Sequence, residues 1–146
     1  ALLLGVLSTF PTATESALSL GKYTISPVIF TGRFLPRWDS LMSALVTQQV
    51  SVGGDPARNS VNVTKAQIQI NTFWGANGWS VLDADWRIDW ERSTKNSMTL
   101  ELELGRNVVG KWGVFVRPGI GIYGRDLPGA YTWNITGGIR YMFPSF

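Results

Sequence analysis

The residues able to do chemistry lie in short alternating runs. Asp83, Asp85, Arg87, Asp89 and Glu91 take every second position of one run. Glu101 and Glu103 repeat that spacing in a second, and Arg117 and Arg140 sit singly in two more. On a strand, residues i and i+2 share a face about 7 Å apart, a separation that permits Glu101 and Glu103 to mimic the carboxylate pair of a glycosidase. No cleft-forming insert accompanies them. The chain has no His and no Cys. That removes the commonest general base, any Ser-His-Asp triad, thiolate nucleophiles and thiolate zinc sites. Asp55, in Gly53-Gly54-Asp55-Pro56, is one carboxylate, too few for calcium, and reads as a turn residue. The expectation is a protein that is not an enzyme and uses neither metal nor cofactor. The 13 basic residues are scattered and the net charge is only +3, so no nucleic-acid partner is expected either.

The elements that carry these charges read as strands. In Met98-Thr99-Leu100-Glu101-Leu102-Glu103-Leu104 the apolar residues take every even position, the period of a strand with one apolar face. Residues 82–91 do the same: Leu82, Ala84, Trp86, Ile88 and Trp90 oppose the five charges. Similar stretches cover 42–52, 66–70, 113–122 and 131–143, with less regular ones at 2–10 and 23–34. The links alternate in length. Residues 34–37, Asn77-Gly78 and Gly110-Lys111 are tight turns, Asn77-Gly78 being a favoured hairpin pair. Residues 13–21, 53–60, 92–96 and 125–130 are longer and polar. The expected fold is therefore all-β, an up-and-down antiparallel meander of about eight strands, in a single domain spanning residues 1–146. Mid-strand Pro27 and Pro118 each remove a ladder donor and point to bulges or a local edge.

Two architectures share this pattern. A soluble, lipocalin-like ligand-binding barrel turns its apolar face inward, whereas an outer-membrane barrel turns it to lipid. The aromatic residues favour the second. Trp38, Trp74, Trp79 and Trp112 flank the short turns, where Tyr141 and Phe143 also arrive, while Trp90 and Tyr131 lie near the other end. Amphipathic rings gathered at both ends are what a membrane-interface girdle requires; the plainer account is tryptophans capping a soluble core. No convincing helix is visible, and the alternating runs are long enough to cross a bilayer at a tilt. The chain ends soon after an apolar-aromatic strand, with Phe143 and Phe146 as candidate terminal aromatics of the kind that outer-membrane assembly machinery reads. These features predict an outer-membrane location, with lipid and that machinery as partners.

If the apolar set meets lipid, Asp83, Asp85, Arg87, Asp89, Glu101, Glu103, Arg117, Asn134 and Arg140 line the lumen. Two readings stay open. An acidic wall facing basic residues across a constriction would order water and orient solutes. The same groups could instead form an ion-pair network that fills a narrow barrel. At the other end, the apolar run from Ala1 to Leu7 followed by Thr14-Glu15-Ser16-Ala17 has the look of a secretory signal's tail. There is no starting Met and no basic segment, so the expectation is that the chain begins inside a longer protein.

Several motifs together carry a family resemblance. Phe10-Pro11-Thr12-Ala13-Thr14 precedes Gly21-Lys22-Tyr23; Val52-Gly53-Gly54-Asp55-Pro56-Ala57-Arg58-Asn59 precedes Val61-Asn62. Gly78-Trp79, the acidic run, Leu104-Gly105-Arg106, Val116-Arg117-Pro118-Gly119 and Gly138-Ile139-Arg140-Tyr141-Met142-Phe143-Pro144 follow in order. This order resembles the outer-membrane transporter family named after the meta-pathway of phenol degradation, over residues 10–144. The resemblance implies the C-terminal portion of a longer barrel of Gram-negative bacteria. It implies a porin-like channel for passive uptake of small apolar or aromatic compounds, the alternative being a non-conducting structural barrel.

Overall fold

A computed structural model describes residues 1–12, 21–75, 77–124, 127 and 130–142. Eight strands follow one another: β1 (Leu2–Thr9), β2 (Lys22–Leu35), β3 (Ser40–Gly54), β4 (Asn62–Trp74), β5 (Gly78–Asp89), β6 (Lys95–Val109), β7 (Trp112–Tyr123) and β8 (Trp133–Tyr141). Each pairs antiparallel with its sequence neighbours in the order β1 to β8, so the meander is observed. The sheet is not closed: β1 and β8 are its two edges. Among the described residues the only helical element is one 3-10 turn (Pro36–Trp38), and no helix is long and apolar enough to cross a membrane.

Alternation explains the strands, and backbone pairing carries them past its ends. β4 and β6 outrun the alternating stretches at 66–70 and 98–104, because polar residues such as Asn62 and Lys95 keep the ladder with Val50 and Asp89. β8 is shorter than residues 131–143. Val109 pairs with Trp112 around Gly110, at φ 55°, so Gly110-Lys111 is a two-residue hairpin turn. Asn77-Gly78 is not the centre of one. Gly78 opens β5 opposite Trp74, and Gly75, at φ 60°, supplies the left-handed residue. Each proline interrupts one ladder, the β2–β3 pairing skipping residues 26–27 and the β6–β7 pairing 117–118, but the register is the same on both sides of each gap and both strands are interior, so the expected bulge or edge is not found there.

Burial runs opposite to that of a soluble sheet. Thr24, Ser26, Ser43, Asp83, Ser97, Thr99 and Glu103 are buried, while Ile29, Val46, Ile68, Leu82, Leu102, Val116 and Ile135 are exposed. Gln67 and Gln69 of β4 and Arg117 of β7, three strands apart, all reach Asp83. Enclosure of polar side chains on one face and exposure of apolar ones on the other make the polar face the concave one and the apolar face the convex one. The concave face changes character along the sheet. Cross-strand pairing places Leu3, Leu7, Val28, Phe30, Leu41 and Leu45 on it over β1–β3, interleaved with Thr24, Ser26, Ser43, Thr47 and Gln49, and the charges over β4–β8. β1 is thus apolar on both faces and exposed along its whole length, which explains why its alternation is faint.

Glycines make room on this face. Trp79 pairs with Gly105, and its ring occupies the space a Cβ there would need; a Cβ on Gly113 would sit 2.6 Å from the same ring. Gly105→Val should therefore destabilise the fold by about 1–3 kcal/mol through overpacking. The cost should shrink in a Gly105→Val/Trp79→Ala double variant, read by urea unfolding in detergent micelles as a coupling energy.

Candidate functional site

The charged residues gather on the concave face of β4–β8 because odd positions of β4–β7 and even positions of β8 share it across each strand pair. Arg117 is the hub. Its guanidinium meets Glu101 and Glu103 at 3.4 Å each and Asp83 at 4.0 Å. Asp83 also accepts hydrogen bonds from Gln67 and Gln69, at 2.8–2.9 Å. Glu101 accepts from Tyr131 Oη at 2.5 Å and Asn134 Nδ2 at 3.0 Å. Glu103, only 1% exposed, accepts from Trp79 Nε1 at 2.6 Å and pairs with Arg140 at 2.9 Å. The Arg140 guanidinium lies over the rings of Trp79 (5.2 Å) and Phe115 (5.0 Å), a partly exposed cation–π arrangement.

Nearer the long-link end, Asp85 is shared by Lys65 at 2.7 Å and Arg87 at 3.0 Å. Asp89 pairs with Arg92 at 3.4 Å and accepts the backbone N–H groups of Glu91 and Arg92, so it shapes the β5–β6 link. All nine residues expected to line a lumen thus face the concave side. Asp83, Glu101, Glu103, Arg117, Asn134 and Arg140 form one network; Asp85 and Arg87 form a second, and Asp89 stands at the rim. Asp83, Asp85, Glu101 and Glu103 are matched in number by Lys65, Arg87, Arg117 and Arg140. Among the described residues no group of His, Cys, Asp or Glu is arranged to hold a metal. Asp55 takes the turn role: its Oδ1 accepts the N–H of Ala57 at 2.9 Å.

Two members of the expected girdle are corrected. Trp79 is 5% exposed and points inward to Glu103. Its odd number already put it on the face of Asp83 and Asp85, and proximity to a turn misdirected the reading. Tyr131 precedes β8, and its hydroxyl turns inward to Glu101; the strand's parity does not extend to it. Trp38, Trp74, Trp112 and Tyr141 stay exposed at the short-turn end, the last two in a T-shaped contact at 5.0 Å. Trp90 is exposed at the opposite end and donates to Thr64 Oγ1 at 2.8 Å. Phe143 lies outside the described residues. Sequence reading missed exposed Tyr23, Tyr123 and Trp133 at the long-link end; their position at strand ends was the available signal. It also missed Phe115, whose ring fills the space beside Gly138.

No family model matches the chain, and no curated protein or solved structure matches it. The likeness to the phenol meta-pathway transporters therefore rests on motif order alone.

Removing the hub leaves three carboxylates facing one another. Arg117→Met should cost about 3–5 kcal/mol, the penalty of stranding a buried charge partner. Adding Glu103→Gln should recover part of it, as measured by unfolding in detergent.

Proposed function

We propose that this chain forms the wall of an outer-membrane β-barrel through which small solutes pass passively. The observation that carries this is the inverted burial: charged and hydroxyl side chains are enclosed while leucine, valine and isoleucine cover the outside. In water such a convex face would be a large unpaired apolar surface. In lipid it is the stable arrangement, and aromatic residues at the strand ends then sit at headgroup depth. The passage of apolar or aromatic compounds follows from the family resemblance, and Phe30, Leu41 and Leu45, set among hydroxyl side chains on the concave face, are compatible with it.

A non-conducting structural barrel is the second reading. It is favoured by the numerical balance of carboxylates and cations around Arg117 and Asp85, which leaves little excess charge to attract solutes. Planar-bilayer recording on the reconstituted protein separates the two: stepwise conductance supports passage, and silent insertion supports the structural barrel.

The membrane assignment has its own test. Leu102 faces outward at the middle of β6, paired with Leu82. Leu102→Arg should weaken folding into lipid vesicles by about 2–4 kcal/mol, the cost of a basic residue at the bilayer midplane. A variant that folds as well as the parent, or better in detergent-free buffer, would sink the assignment.

A further inference from the structure

The outer surface differs between the two ends of the sheet. At the short-turn end it carries four exposed cations: Arg33 near the end of β2, Arg37 in the Pro36–Trp38 turn, Arg106 near the end of β6 and Lys111 in the β6–β7 turn. Among the described residues Asp39 is the one carboxylate at that end, and Arg140 is turned inward onto Glu103. Among the described residues none of the four cations has an ion pair or a side-chain hydrogen bond. Elsewhere the pattern is different. Lys65, Arg87, Arg117 and Arg140 each meet a carboxylate on the concave face, and at the long-link end Arg92 pairs with Asp89.

Strand geometry turns two of these cations outward. Arg33 opposes exposed Met42, and Arg106 has the parity of exposed Leu102 and Leu104. The register of β4–β7 sets Trp74, Gly78, Arg106 and Val114 in one row of the convex face. A Cβ on Gly78 would lie 3.3 Å from Trp74 Cβ and 3.7 Å from its ring, so the indole rests against the Gly78 backbone with Arg106 on the next strand. Lys111 adjoins Trp112, which packs on Tyr141, and Arg37 adjoins exposed Trp38. Three of the four cations thus stand beside an exposed ring, with the apolar convex face behind them. Arginine and lysine stems lie along apolar surface while their charged heads reach outward.

We propose that this rim is a docking surface for anionic phospholipid headgroups, the four cations meeting headgroup phosphates and the rings of Trp74 and Trp112 lying at the interface beside them. The shared chemistry is phosphate, and the spread of the charges favours a lipid surface over a dissolved anion. Arg33 and Arg106 lie on β2 and β6, four strands apart and therefore about 19 Å from each other across the sheet. One small anion cannot bridge that span, whereas a headgroup layer meets every cation along it. The inference rests on the membrane reading and adds to it a lipid class and the end of the sheet that selects it.

Urea unfolding of the full chain in lipid vesicles tests it, comparing phosphatidylcholine alone with equal parts of phosphatidylcholine and phosphatidylglycerol. The parent should be more stable in the mixed vesicles, each rim cation favouring the folded state about fivefold. Arg37→Gln/Lys111→Gln should lower that preference by at least about tenfold and leave stability in phosphatidylcholine unchanged. Arg37→Lys/Lys111→Arg should keep it. If the double glutamine variant does not fold, the two single substitutions, each lowering the preference about fivefold, decide. A parent equally stable in both lipids, or a full preference in the glutamine variant, would overturn the rim and leave the membrane reading standing. Inorganic phosphate that removes the preference, where sodium chloride of equal ionic strength does not, would assign the rim to dissolved anions and overturn the lipid assignment. A parent that associates with neither vesicle would overturn the membrane reading and the rim together.

Discussion

Asp83 and Glu101 are direct cross-strand partners, and Glu103 follows on the same face. Like charges placed opposite one another destabilise a sheet, so this stretch of β5–β6 holds only if a cation sits among them. Arg117 supplies it from β7, across the strand that carries both glutamates. To do so, its guanidinium stands over β6. Gln67 and Gln69 complete Asp83 from the other side, while Tyr131 and Asn134 complete Glu101. The charges of the polar face find their partners one and two strands away.

The curvature of the sheet sorts the remaining side chains. Residues of the other parity are turned outward, where few other side chains reach them, and they are leucine, isoleucine, valine and tryptophan. The two faces then have opposite requirements. The concave face is stabilised by hydrogen bonds and ion pairs between strands, and the convex face needs an apolar environment. β1 satisfies neither pattern, being apolar on both sides. It is also an edge, with one line of backbone donors and acceptors facing away from β2. In a bilayer such an edge costs several kcal/mol for each unpaired group, so the membrane reading demands that both edges find strand partners.

The contrast between Trp79 and Trp112 shows what could be read beforehand. Both stand beside short turns, and both looked like interface residues. Trp112 is exposed against Tyr141, whereas Trp79 lies over Gly105 and Gly113 and donates to Glu103. Parity placed them on opposite faces, but the space that receives Trp79 exists only because two glycines, Gly105 on β6 and Gly113 on β7, lie diagonally across the strand pair. Tyr131 fails for the converse reason: the chain leaves strand geometry before Trp133, so alternation no longer fixes its direction.

What the amino-acid order determined is local. The period of two set eight strands and their faces, and Gly110 set one of the hairpins. The nine charged and polar positions were assigned to one surface, where they are found. Pairing within that surface was decided by the tertiary structure. Arg117 reaches Asp83 only because β5, β6 and β7 are adjacent in a particular register and curve together. The alignment of Trp74, Gly78 and Arg106 in one row of the convex face likewise depends on the register of β4, β5 and β6. Alternation follows from the geometry of a single strand, whereas these contacts depend on register and curvature accumulated over several strands.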